Sequence, residues 1–336
     1  MAQGITYSLI GIFALAVLFD YINGFHDTAN AIATSVTTRA LRPGYAIILS
    51  AVANFIGALT GTAVAATIGS GIVTTPAGGQ GQMIIAAALV GGITWNVLTW
   101  RLGLPSSSSH ALIGGLLGAT LAGIGGSAVH LGAVLEKVVL PLVGSPIIGM
   151  AGAFTVMVVL LNVFQRADPH RINERFRRLQ LISASFMAFS HGSNDAQKTM
   201  GIMTAALVAA GLLPVFQVPV WIMVLAACAI SLGTAAGGWR IIKTMGQRVV
   251  KLDPVHGFAA ETAAATVIVV ASHLGMPVST THVVSGAIMG SGASDRFSAV
   301  RWGIAGSIVW AWVLTIPASA AVAALAWIAI HAVAGL

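Results

Sequence analysis

The chain has 336 residues, of which 57% are hydrophobic and only 7% charged, against roughly a quarter charged in a soluble globular protein. At about 20 apolar residues per crossing, this composition supplies nine or ten membrane spans and leaves no room for a water-soluble catalytic domain. The net charge of +7 does not point to nucleic acid, because the cations lie in short segments between apolar runs, where they orient a membrane protein.

In chain order, the apolar runs predict spans at 5–22, 44–69, 82–100, 105–125 and 141–164, then 181–191 with 199–213, 216–238, 257–273, 277–292 and 309–333. The first run lacks the cationic leader and small-residue cleavage site of a secretory signal and is expected to be a retained span. Segment 166–180, with five arginines, reads as a solvated basic linker near anionic lipid. It separates a first unit, 1–165, from a second, 181–336. Cys228, in the run AACAI, reads as a small buried core residue, and a single cysteine allows no intrachain disulfide.

Two segments recur in the same order. Gly24-Phe25-His26-Asp27 matches Gly192-Ser193-Asn194-Asp195, and LGLPSSSSHALIGGLLGA from Leu102 matches LGMPVSTTHVVSGAIMGS from Leu274. Five crossing segments per unit is an odd number, so the second unit is expected to enter the membrane upside down. With both termini outside, 13 of the 16 cations fall in inside loops, as the positive-inside rule requires. The expected fold is an all-α polytopic membrane protein of two inverted repeats, with about 10–12 membrane segments including two broken helices or re-entrant hairpins.

An ionisable residue near the middle of a membrane helix costs about 2.5–3.5 kcal/mol on insertion scales. The polar groups within or beside apolar runs are few: Asp27 and Asn30 after the first span, Asp195, Gln197 and Lys198 after the sixth, and Glu261 in GFAAETAAATVIVV. Asp195 and Lys198 are spaced to pair on one helix, but the recurrence of an Asp at the matching place in both units asks for more than a staple. In the second repeated segment, Gly-x-Pro ends one helix and the hydroxyl run behind it caps another. Such a new start offers unpaired N–H groups, hydroxyls and the positive end of the helix dipole to an anion. Two of them facing each other, with acids close by, make sense only if a cation or proton enters with the anion. That is the logic of a symporter.

At these residues the sequence resembles the inorganic phosphate transporter (PiT) family, in its bacterial low-affinity phosphate permease type: GFHDTANAIATSV, GLPSSSSHALIGG, HGSNDAQKTMGI, GFAAETAAA and GMPVSTTHVVSGA, spread over essentially the whole chain. The resemblance implies phosphate held by Ser107, Ser108, Ser109, Ser279, Thr280 and Thr281 with Gln197 as an amide donor. It implies a coupling ion, H+ or Na+, at Asp27, Asn30, Asn194 and Asp195, with sodium at Asp27 and Asp195 one form of that expectation. His26, His110, His191, His282, Lys198 and Glu261 are candidate supporting or proton-carrying groups. It further implies a homodimer in the bacterial cytoplasmic (inner) membrane, no cofactor beyond the coupling ion, phosphate as partner either alone or with a divalent metal, and no nucleic acid. Sulfate permease of the same fold is the alternative. An intramembrane hydrolase fits less well, since no G-x-S-x-G elbow is present, and the absence of an H-E-x-x-H pair argues against a catalytic zinc; an anion channel is the remaining, less favoured reading.

Overall fold

The computed structural model describes the backbone of residues 2–334 and the side chains of 7–333. Thirteen α-helices and no strand occur among the described residues. The first unit holds α1 (Ala2–Thr37), α2 (Pro43–Ala58), α3 (Ala63–Ala66), α4 (Gly79–Leu102), α5 (Ser108–Gly123), α6 (Leu131–Val134) and α7 (Leu140–Val163). The second holds α8 (Pro169–Ala209), α9 (Val220–Ala236), α10 (Trp239–Lys243), α11 (Pro254–His273), α12 (Thr280–Ala293) and α13 (Trp302–Ala334). Single π-turns extend α3 to Gly71 and α10 to Arg248, and another joins α6 to α7. Five helical stretches are long and apolar enough to cross a membrane, and seven if each bent pair counts as one span.

The order of elements occurs twice: a very long helix, a bent pair, a span, a helix after a Pro break, and a long closing span. The bends are 68° between α2 and α3 and 60° between α9 and α10, and neither was visible in hydropathy. Four other expectations are corrected. α1 does not end at 22 but runs through the Asp27 motif, and α8 does not break between 191 and 199. Segment 166–180 is mostly helix, because Asp168 accepts from the His170 N–H at 2.8 Å and Pro169 stands at the first turn. Cys228 is exposed, on the outward face of α9 with Trp221, Val224 and Leu232; in a membrane that face meets lipid.

The two units do not fill separate volumes. α5 packs on α4 and α13, α12 on α7 and α11, and α1 and α8 pack on α9 and α2 respectively. Each closing span therefore covers the broken helix of the other unit. Two apolar cores result. Leu9–Phe19 of α1 and Ala196–Leu207 of α8 enter one, while Ala29–Ala33 of α1 and Met187–Ala188 of α8 enter the other. The two long helices thus pass from core to core, and the duplicated Asp motifs sit at the crossing.

Candidate anion and coupling-ion site

The site begins with two helix breaks built the same way. Gly103 and Gly275 adopt left-handed φ values of +67° and +66°, which glycine takes without strain. At the first break Gly103 N–H donates to Trp100 O at 3.0 Å and Leu104 N–H to Thr99 O at 2.9 Å; at the second, Gly275 N–H donates to Ser272 O at 3.1 Å and Met276 N–H to Ala271 O at 2.8 Å. These bonds close the preceding helices, and Pro105 and Pro277 prevent their continuation. The new helices start under hydroxyl caps, Ser107 accepting from His110 N–H and Ser279 from His282 N–H, each at 3.2 Å. The two starts meet: Ser109 donates to Val278 O at 3.3 Å, and the His110 and His282 rings lie 4.9 Å apart.

The repeated glycines bring the acids to the same place. A Cβ on Gly24 would stand 2.2 Å from Ile230 O, and one on Gly192 would stand 2.2 Å from Asn54 O; only glycine permits these approaches of α1 to α9 and of α8 to α2. One turn on, Asp27 Oδ1 lies 2.6 Å from His26 Nδ1, whose Nε2 is 3.1 Å from Thr99 Oγ1. Asp195 Oδ1 takes the Lys198 ammonium at 2.5 Å. His191 Nδ1 donates to Asn54 Oδ1 at 3.0 Å, which turns Nε2 toward Asp195 Oδ2 at 3.4 Å. Asp27, His191 and Asp195 each offer a ligand atom within 4.8 Å of the others, so a cation could be held between the two units' acids.

The motifs are then joined crosswise. Lys198, from the second Asp motif, donates to Ser109 of the first hydroxyl cluster and to Val278 O at 3.3 Å. Asn30, from the first Asp motif, donates to Thr281 of the second cluster at 2.9 Å and to Thr280 at 3.4 Å. Thr280 in turn donates to Asp195 Oδ2 at 3.3 Å. Every one of these side chains is at most 2% exposed, so water does not screen the charges and the arrangement is closed on all sides.

Some expected members stand elsewhere. Gln197 accepts the Val64 N–H at 2.8 Å and donates to Ser193 O at 2.5 Å, so its amide fixes the bend before α3. With Thr60, Gly61, Ser193 and Ser272 it lines a cavity of about 230 Å³. Asn194 donates to Ser272 at 2.9 Å and Met276 O at 3.3 Å, holding the second break. Glu261 lies apart, accepting from Thr34 at 2.5 Å, Gln180 at 3.2 Å and Ser183. His282 stacks on Trp312 at 4.0 Å. Asn54 and Thr99 were missed by sequence, each a lone polar group in an apolar helix; Ser106, a member of the first hydroxyl cluster not assigned to phosphate, donates to Thr99 at 2.8 Å.

Residues 23–323 match the phosphate transporter family. A protein of Rhizobium meliloti named "Probable low-affinity inorganic phosphate transporter" is 49% identical over 97% of both chains, and one of the same name from Bacillus subtilis is 46% identical over 95% of both. A solved structure titled "The sodium-dependent phosphate transporter" superposes with a TM-score of 0.89 at 25% identity, covering 97% of this chain and 99% of that one. The hydroxyl-capped breaks and paired acids described above thus lie within the matched region, and the chain belongs to the phosphate transporter family.

Proposed function

We propose that the chain imports inorganic phosphate by alternating access, driven by a proton or sodium gradient. Its family and relatives are transporters rather than enzymes, and its apolar helices make it a multi-pass membrane protein. The observation that carries the reading is the crosswise link of Lys198 to Ser109 and Asn30 to Thr281, which puts both hydroxyl clusters and both Asp motifs in one closed centre. Phosphate would take the hydroxyl and amide hydrogens of Ser107–Ser109 and Ser279–Thr281. Lys198 and the cation beside Asp27, His191 and Asp195 would offset its charge.

The acids also favour phosphate over sulfate. Phosphate at neutral pH still carries a P–O–H hydrogen that needs an acceptor, which a carboxylate supplies; sulfate has none, and a carboxylate repels it. Because α13 covers α5 and α7 covers α12, the bodies that move are α4, α5 and α13 against α7, α11 and α12, with α1 and α8 between them, rather than one sequence half against the other. The reading includes inverted repeats, both termini outside, a bacterial inner-membrane location and a homodimer. The mass of the detergent-solubilised protein tests the dimer.

The function is tested by uptake into proteoliposomes of labelled phosphate and labelled sulfate, with proton and sodium gradients imposed separately and with or without a divalent metal. Phosphate accumulation against its gradient under one of the two ion gradients is expected. Sulfate accumulation without phosphate accumulation, or phosphate flux that never exceeds equilibrium, would overturn it.

A further inference from the structure

Three of the buried acids have partners: Asp27 has His26, Asp195 has Lys198, and Glu261 accepts from three side chains. Asp20 differs. It is 0% exposed, and neither of its carboxyl oxygens has a hydrogen-bond partner, which is true of no other buried carboxyl among the described residues. It lies on α1 seven residues before Asp27, so about 10 Å along the helix axis at 1.5 Å per residue and on nearly the same face.

The groups beside it are also unused. Asn23, one turn on, has both amide atoms unpartnered, and the Thr199 hydroxyl on α8 is unpartnered too; both side chains lie within interaction range of the carboxyl. A bare carboxylate in this setting is strongly disfavoured. An alkali ion would need more oxygens than Asp20, Asn23 and Thr199 supply. The carbonyls of α1 and α8 cannot make up the number, because both helices are unbroken here and it is unwound backbone that usually lends carbonyls to an ion. A proton needs one carboxyl oxygen, and the resulting acid can donate to Asn23 or Thr199.

We propose that Asp20 is a proton-carrying site of the transport cycle, taking one proton to form the neutral acid and releasing it to leave the carboxylate. The inference rests on the phosphate-transport reading. The charges that face Asp20 are Asp195 and Lys198 of α8, with Asp27 and His26 two turns along α1. Of the other helices against this part of α1, α9 has no ionisable group but the exposed Cys228, and α4 has only Arg101, near its C-terminal end. α2, which also packs on α1, has Tyr45 as its one ionisable side chain, near its N-terminal end; the α9–α10 bend meets α1 at Phe25 O, through Gly238, Thr281 of α12 meets it at Asn30 and Glu261 of α11 at Thr34. An anion arriving at Ser109 draws the Lys198 charge from Asp195, and the less compensated Asp195 carboxylate then favours the protonated form of Asp20. Phosphate entry and proton uptake are linked in this way.

The test uses the reconstituted full chain and Asp20→Asn, a mimic of the neutral acid. The variant is expected to keep phosphate–phosphate exchange and to lose accumulation driven by a proton gradient. Infrared spectra of the purified proteins are expected to show a protonated-carboxyl carbonyl band in the wild type that Asp20→Asn lacks. Accumulation with the wild-type pH profile, or identical carboxyl bands in the two proteins, would overturn the assignment. If Asp20→Asn does not fold, Asp20→Glu decides: a displaced pH profile supports the site and an unmoved one refutes it. A wild type that neither exchanges nor accumulates phosphate would refute the transport reading instead, while the infrared comparison still judges Asp20.

Discussion

The two Asp motifs occupy equivalent places on α1 and α8 and solve the same electrostatic problem differently. Asp27 is accompanied by the His26 imidazole at 2.6 Å, whereas Asp195 is locked to the Lys198 ammonium at 2.5 Å. At the position three residues past the acid, the first motif has Asn30 and the second has Lys198, and each reaches the last hydroxyl of the opposite cluster. The scaffold is duplicated but the countercharge is not. One acid has a lysine of the chain beside it and the other a histidine, so the cation proposed between the two acids is expected to depend more on Asp27 than on Asp195.

The largest effect should come from removing the fixed charge. Lys198→Met leaves Asp195 buried without its lysine partner, a loss of about 3–5 kcal/mol for breaking one side of a buried pair. Adding Asp195→Asn should restore most of it, and a double-mutant cycle on unfolding in detergent measures the coupling. Next, Gly24→Ala and Gly192→Ala push a methyl into facing backbone at 2.2 Å in each case, costing about 1–3 kcal/mol as overpacking does. Equal losses of thermal stability are expected. A loss confined to one glycine would break the equivalence of the two helix contacts.

Smaller effects fall on the caps. Ser107→Ala and Ser279→Ala each remove one cap at about 1 kcal/mol, and each should weaken phosphate affinity more than it weakens coupling. Asp253, outside the spans, caps α11 through the Val255 and His256 N–H groups at 3.0 and 3.1 Å. Burial would raise its pKa, but the hydrogen bond and charge of His256 and these backbone donors outweigh that and hold it below the usual carboxylate value. Its stabilisation is therefore complete above the unfolded pKa and disappears as pH falls through the lowered folded value. Asp253→Ala should lower thermal stability at neutral pH by about 1 kcal/mol and flatten the acid limb of the stability profile.

The breaks before α5 and α12 were legible because Gly, Pro and a hydroxyl cap act locally, on the backbone of their own segment. Asp27, Asp195 and Glu261 were legible because a charge in an apolar run is costly unless it has partners; Asp20, inside the predicted span 5–22, was passed over although the same cost applies to it. The continuity of α1 and α8 was not, since polar residues at 23–30 and 191–198 resemble a break until other helices are seen to satisfy them. Asn54, which orients His191, and Thr99, beside His26, are such partners. The helix from Pro169 through the arginines was hidden by its charge, and the exposure of Cys228 by its apolar neighbours, because hydropathy does not tell lipid from protein interior. The covering of α5 by α13 and of α12 by α7 is a tertiary fact with no local signature.

On the proposed reading the two facing helix starts hold phosphate together. Saturable binding of labelled phosphate to the purified protein, compared with the Ser109→Ala/Thr281→Val double variant, tests it most directly. The folded double variant is expected to lose saturable binding; an affinity equal to that of the wild type would mean that the two starts do not hold phosphate together.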